Sequence, residues 1–260
     1  MATQKIGDLQ MYYEIIGQGE PVLFIHGLGS SARDWESQVG FFSRHYQVIV
    51  LDVRGHGKTD KPPGPYSIPL FAQDVLSLLK TLNLGPVHVV GISMGGMVGF
   101  QLAVDAPEIV KSLVVVNSGP EMVVRTFKDQ LQVWQRFLIV RLAGMRKMGE
   151  VLSKRLFPKE EQAALREVFA GRWAENDPKA YLATLRAIVG WSVAEHLEKI
   201  GLPVLVIAAD EDYTPVSAKE AYIARLPQAE LVVIEDSRHG TPIERPEEFN
   251  EVVAAFLLKQ

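Results

Sequence analysis

The chain has 260 residues, no cysteine, and a formal net charge of −4 from 27 basic and 31 acidic side chains. That length holds one large α/β domain or two small ones with a sizeable core, and the charge balance argues against nucleic acid or an anionic membrane as partner. Without cysteine there is no disulfide, thiol nucleophile or thiolate metal site, so any chemistry falls to oxygen and nitrogen groups. The start Met1-Ala2-Thr3-Gln4-Lys5 lacks the apolar core of a secretory signal and no apolar run approaches the roughly 18 residues of a bilayer span, so a cytoplasmic protein is expected.

In chain order, Leu9 to Ile16 is a β-like run containing Tyr12 and Tyr13, and Gly17-Gln18-Gly19 follows as a turn, which predicts a hairpin opening the fold. Pro21 to Ile25 has the apolar character of a buried strand and runs into His26-Gly27-Leu28-Gly29-Ser30-Ser31, a loop whose backbone can approach a ligand. Arg33 to Phe42 reads as a helix and Tyr46 to Leu51 as the next strand. The polar loop Asp52 to Asp60 then closes at Lys61-Pro62-Pro63, with His56 serving its hydrogen bonding. Ile68 to Leu82 is helical, with Phe71, Val75, Leu78 and Leu79 on one face. Strand Pro86 to Val90, helix Met97 to Ala106 and strand Lys111 to Val116 continue the alternation. Repeated βα units predict an α/β fold with a doubly wound, mostly parallel sheet that collects ligands at the carboxyl ends of its strands.

From Gly119 to His196 the strand signal disappears, leaving helical patterns interrupted at Gly144, Phe157-Pro158, Gly171 and Asp177-Pro178. An all-helical cap or lid over 119–196 is therefore expected, inserted in a core formed by 1–118 and 197–260. Asp177 and Pro178 fit the N-cap and first position of a helix reaching Ile188. The insertion carries Arg125, Lys128, Arg136, Arg141, Arg146, Lys147, Lys154 and Arg155, which read as a solvated face rather than an anion-binding lid. Trp134, Phe137, Leu138, Met145 and Met148 read mostly as core, with some available to a pocket. The sheet resumes at Pro203 to Ala209, which ends in the acidic loop Asp210-Glu211-Asp212. A helix over Val216 to Arg225, a strand over Glu230 to Ile234, the loop Ser237-Arg238-His239-Gly240 and a helix over Glu247 to Leu258 complete the chain.

Chemistry centres on Gly91-Ile92-Ser93-Met94-Gly95-Gly96, a serine between a buried strand and a helix. Such a reversal strains Ser93 and leaves no room for side chains two residues to either side, which glycine at 91 and 95 provides. The bend lifts the hydroxyl above the sheet and aims the Met94 amide, at a helix N-terminus, at any negative charge formed there. A serine needs a base, best an imidazole oriented by a carboxylate. His45 and His196 lie in helical or cap-edge stretches, His88 within a strand, and His26 and His56 in early glycine loops. His239 alone leaves a late strand on the rim where Ser93 should sit. The acid should come from Asp210-Glu211-Asp212.

At these residues the chain resembles the α/β-hydrolases, with their order of serine, acid and histidine, over nearly everything outside residues 119 to 196. The resemblance implies that the Leu28 amide, after His26-Gly27, is the second oxyanion donor beside Met94, and that His26 is structural. Asp52 to Asp60 matches the family loop Asp-x-Arg-Gly-x-Gly-x-Ser-Asp with Thr59 in the serine position, and His239, Glu244-Arg245-Pro246 and Phe249 match its C-terminal pattern. Two departures stand out. Ala209 replaces the usual glycine before the acid and Pro215 follows Asp212 by three residues instead of four, which leaves Asp212 first and Asp210 second as the acid. Arg238 precedes His239 where glycine is commoner, and its side chain is expected in solvent. Asn117-Ser118 offers no carboxylate for an acid after an earlier strand.

A serine nucleophile disfavours the dehalogenase and epoxide-hydrolase chemistry that relatives run from aspartate, and no metal or cofactor is expected. The reading is a carboxylesterase-like hydrolase using Ser93, Asp212 and His239 on a small-molecule ester, as a monomer or homodimer. An enol-lactonase of aromatic-acid catabolism, taking 3-oxoadipate enol-lactone, is the alternative, because Gly64-Pro65-Tyr66 and Ser93-Met94-Gly95-Gly96-Met97 resemble those enzymes. C–C bond hydrolases share the triad, but their Gly-Pro-Gly is replaced by Leu28-Gly29-Ser30. Perhydrolase or haloperoxidase-like activity would use the same triad, and a ligand sensor that does not turn over is the reading from another class.

Overall fold

The computed structural model describes residues 2–260, the side chain of Lys128 excepted. It opens with an antiparallel hairpin of β1 (Ala2–Ile6) and β2 (Leu9–Ile16), turning at Gly7 and Asp8. The expected hairpin is thus present but lies one strand earlier. The Gly17-Gln18-Gly19 turn leads to β3 (Glu20–Ile25), which does not pair with β2. β1 is a largely exposed edge strand without an apolar alternation, so its sequence carries no strand signal.

A short 3-10 turn at Ala32–Trp35 leads into α1 (Glu36–Phe42), followed by β4 (Tyr46–Leu51), α2 (Ile68–Thr81), β5 (Val87–Ile92), α3 (Met94–Asp105) and β6 (Val110–Val116). After the helical insert come β7 (Val204–Ala209), a helix over Val216–Ile223, β8 (Ala229–Ile234) and two C-terminal helices, Thr241–Glu244 and Pro246–Leu257. The strands form one eight-stranded sheet in the order β1-β2-β4-β3-β5-β6-β7-β8, parallel from β4 onward.

The central runs are largely apolar because both faces of the sheet are covered. Leu23, Ile49, Val89, Leu113 and Val206 point into a core with α2 and α3, where Phe71, Val75, Leu78 and Val98 meet them. Val22, Val48, Val90, Val114 and Leu205 alternate into the opposite core, packed by Phe42 of α1 and by Phe249, Val253 and Phe256 of the C-terminal helix. This is the doubly wound arrangement that the βα alternation predicts. Its consequence is that the loops leaving β3, β5, β6, β7 and β8 share one rim.

Between β6 and β7 the chain is helical: α4 (Phe127–Leu156), α5 (Ala163–Ala174) and α6 (Pro178–Ile188). Thr126 and Asp129 form a capping box at the start of α4, and Asp177 caps α6 through the Ala180 amide at 2.8 Å. Gly144 kinks α4 with φ 78° and ψ 179°. Gly171, expected to interrupt, lies inside α5, where glycine weakens a helix without ending it. Met145 and Met148 are buried as expected and Phe137 half-buried, but Trp134 is 67% and Leu138 55% exposed. The segment is helical as its period predicts, with the buried stripe on a different face of α4.

Candidate active site

The elbow is built from steric necessity. Ser93 sits at φ 54° and ψ −118°, a conformation that costs a side-chain-bearing residue of order 1–3 kcal/mol. It is held there by its own amide, which donates to Val116 at 3.0 Å, and by its carbonyl, which accepts from the Gly96 amide at 3.0 Å and the Ser118 hydroxyl at 2.6 Å. A Cβ on Gly91 would run into the Gly95 backbone, and one on Gly95 into the carbonyl of Ile25. Met94 is the first residue of α3, so its amide opens the helix beside the hydroxyl.

The loop after β3 lies against this serine. A Cβ on Gly27 would come within 3.5 Å of the Ser93 Cβ, so the backbone of this loop passes directly beside the serine one residue before Leu28. His26 is fully buried and braces the loop: its Nε2 accepts from the Val53 amide at 3.0 Å, so the ring proton sits on Nδ1, 2.8 Å from the Gly27 carbonyl. The Asp52 to Asp60 loop supplies the rest of the support. The Asp52 carboxylate accepts from the Ala32 and Lys58 amides, each at 2.7 Å, and Thr59 donates to the Asp52 carbonyl at 2.6 Å. His56 lies nearby, its Nδ1 3.1 Å from the Arg54 carbonyl and its ring 5.1 Å from that of His26. Burial pushes His26 down to about 4, and burial with the neighbouring His26 pushes His56 down to about 3, so both are neutral supports.

On the other side of Ser93, His239 Nδ1 lies 2.8 Å from Asp212 Oδ1, and the Asp212 side chain is completely buried. Burial alone would raise this carboxyl, but its hydrogen bond and charge interaction with His239, joined by Lys219, hold it down at about 2. Asp210 is instead an exposed residue whose Oδ1 accepts from the Ser237 amide at 3.1 Å. Arg238 is half-buried and ion-pairs with Glu211 rather than standing free in solvent as expected. Asn117 and Ser118 tie the two halves together. The Asn117 amide donates to the carbonyls of Arg238 and His239 and to the Thr241 hydroxyl, and accepts from Ala209, while Ser118 grips the Ser93 carbonyl. Among the described residues there is no cluster of three or more His, Asp or Glu able to hold a metal ion, and no helix long and apolar enough to cross a membrane.

Residues 20–246 match the family model of the alpha/beta hydrolase fold. The chain belongs to the α/β-hydrolase fold family. Its sequence is 30% identical to 3-oxoadipate enol-lactonase 2 of Acinetobacter baylyi, across 98% of this chain and 96% of that one. Its structure resembles the enol-lactonase from Burkholderia xenovorans, with a TM-score of 0.91 and 25% identity over 98% of this chain and 99% of that one. It also resembles a thermophilic esterase from Thermogutta terrifontis, with a TM-score of 0.88 and 25% identity over 99% and 96% of the two chains.

In this α/β-hydrolase the helical insert reaches the rim at defined points. Trp173 of α5 packs over Gly29, where a Cβ would meet the indole at 2.9 Å, and Asn176 donates to the Gly29 carbonyl at 2.8 Å. Arg172 spans to Asp34 at 2.8 Å and Glu36 at 3.0 Å. Trp173 lies 5.8 Å, ring to ring, from Tyr181, and Tyr213 stacks on His239. Of the basic residues of the insert, Arg125, Arg141, Arg146, Lys147, Lys154 and Arg155 are exposed, as a solvated face requires. Lys128 lies outside the described side chains. Arg136 departs from that expectation: it is half-buried beside the phenols of Tyr181 and Tyr213, countering the rise that burial imposes on Tyr181. A lysine or arginine at helical spacing carries no sequence mark of this, and Asn117, Tyr213 and Lys219 gave none either.

Proposed function

We propose that this protein hydrolyses carboxylic esters through an acyl-enzyme, with Ser93 as nucleophile, His239 as base and Asp212 as the acid that orients it. His239 takes the Ser93 proton as Oγ attacks the carbonyl carbon, and returns it to the leaving alkoxide as the ester C–O bond breaks. Water then attacks the acyl carbon, passing a proton through His239 and releasing the acid with Ser93 restored. The Leu28 and Met94 amides hold the oxyanion, each worth about 3 kcal/mol of barrier. The observation that carries this reading is the buried Asp212 carboxylate 2.8 Å from His239, on the rim that also bears the strained Ser93. Residues 119–196 act as a lid over the core of 1–118 and 197–260, touching the oxyanion loop through Trp173 and Asn176.

A second reading is favoured by Arg136. The Arg136 guanidinium stands beside the buried Tyr181 hydroxyl and forms no ion pair among the described residues. Such a set of donors suits a carboxylate on the substrate, as in the lactone of an acidic compound. The similarity to 3-oxoadipate enol-lactonase 2 supports the same direction. Steady-state hydrolysis of p-nitrophenyl esters from acetate to decanoate, beside an acidic enol-lactone, tests both. Ester turnover abolished in Ser93→Ala supports the esterase, turnover confined to the lactone promotes the second reading, and wild-type rates no better than Ser93→Ala on every substrate reject both in favour of a sensor.

A further inference from the structure

Among the described residues Lys219 is the most deeply buried cation, 1% exposed, and it lies one turn into the helix Val216–Ile223. Burying a lysine is costly unless every donor is met, and here all three are: Nζ reaches Asp212 Oδ2 at 2.8 Å, the Thr214 carbonyl at 2.7 Å and the Thr214 hydroxyl at 2.7 Å. The Thr214 hydroxyl in turn donates to Asp212 Oδ2. The two oxygens of one carboxylate are thus divided between His239 on Oδ1 and Lys219 with Thr214 on Oδ2. A neutral side chain at position 219 could close the same loop without the cost of burying a charge, so the charge itself calls for a role.

We propose that Lys219 is a positioning residue that fixes the Asp212 carboxylate for His239 and, by offsetting its negative charge, sets the acid limit of the pH range in which the imidazole works as a base. The proposal rests on the serine-acid-histidine reading of the site. Its sign follows from Coulomb's law. An imidazolium is stabilised by a neighbouring carboxylate, and a cation on the far oxygen weakens that stabilisation. Loss of the ammonium leaves the carboxylate charge unopposed and should move the acid limb of the rate profile to higher pH. The other ionisable groups around this cluster are already engaged or set back from the carboxylate. Glu211 pairs with Arg238, Asp210 accepts from Ser237, Glu244 accepts from the Arg238 amide, and the Tyr222 hydroxyl donates to the Ser118 carbonyl. Tyr213 lies on the imidazole face with Arg136 at its phenol end.

The test is the pH profile of kcat/KM for p-nitrophenyl acetate in the wild type, Lys219→Met, Lys219→Gln, Lys219→Arg and Thr214→Val, with Ser93→Ala alongside. Removing the charge should move the acid limb up by about one pH unit. Lys219→Arg should restore it, and Thr214→Val, which deletes two hydrogen bonds and no charge, should lower kcat with the limb in place. A fall in kcat with an unmoved limb in both neutral variants, or an equal shift in Thr214→Val, would overturn the proposal. If the neutral variants do not fold, the wild type decides: the Lys219 15Nζ resonance should show an inflection at the pH of the acid limb, and a flat titration would refute the coupling. Ester hydrolysis at the wild-type rate in Ser93→Ala would instead reject the underlying triad, so the two failures are distinguishable.

Discussion

The phenol ring of Tyr213 lies stacked on the imidazole of His239, with ring centroids 4.1 Å apart and planes inclined by 29°. The residue directly after the proposed acid therefore covers one face of the proposed base, and Asp212 fixes the ring edge. Stacked aromatic pairs contribute about 0.5–1.5 kcal/mol beyond their buried area. Tyr213→Ala should accordingly lower kcat/KM by roughly threefold to tenfold, while Tyr213→Phe, which keeps the ring, should stay within about twofold of wild type. Equal losses in both variants would assign the effect to the hydroxyl instead.

Asp212 and Asp210 separate cleanly by mutation. Asp212→Asn should reduce kcat on ester substrates by about 10³–10⁴-fold, because the amide presents the wrong partner to His239 Nδ1. It should also lower stability by about 3–5 kcal/mol, since buried Lys219 loses its counter-ion. Asp210→Asn should leave kcat within about twofold, its carboxylate being exposed and bonded only to backbone amides. Steady-state kinetics and urea unfolding of the two variants check both statements.

Acid should weaken the fold through His26 and His56. Both are neutral in the folded protein down to about 4 and about 3, whereas in the unfolded chain they take up protons near 6.5. Below that pH the unfolded state binds more protons, so stability falls as pH drops from about 6.5 towards 4, each histidine contributing up to about 1.4 kcal/mol per pH unit. Asp212 adds its own loss only later, as pH falls from about 3.9 through about 2. The midpoint of urea unfolding should therefore decline between neutral pH and pH ~5, and His56→Gln should flatten that slope.

Arg136→Met should discriminate between substrates. A hydrogen bond to a charged group is worth about 1.5–3 kcal/mol, so KM for an acidic ester or lactone should rise by roughly ten-fold or more, and by much less for p-nitrophenyl acetate. Equal effects on the two would argue that Arg136 serves only to hold Tyr181 and Tyr213.

What the sequence revealed follows from which features have a local physical cause. The parallel strands announce themselves because burial on both faces demands uninterrupted runs such as Val204 to Ala209. The elbow does so because only glycine fits at 91 and 95. Asp212 and His239 were legible from their places after β7 and β8. Residues whose meaning depends on a distant neighbour were not. Lys219 has the spacing of an ordinary helix surface lysine, yet it turns inward to a carboxylate seven residues back. Asn117 is visible in the sequence only as a position without a carboxylate, although its amide bridges β7 and the His239 loop. On α4, periodicity identified the helix but not its orientation, so Trp134 and Leu138 were assigned inside and Arg136 outside.

The central claim is that Ser93 carries the acyl group. Intact-mass and peptide mass spectrometry after brief exposure to a fluorophosphonate, or to a p-nitrophenyl ester quenched in acid, addresses it most directly. A single adduct on the peptide containing Ser93, formed together with p-nitrophenol release and absent from Ser93→Ala and His239→Ala, is the predicted result. Ester hydrolysis without any adduct on Ser93, or an adduct that survives unchanged in Ser93→Ala, would contradict it.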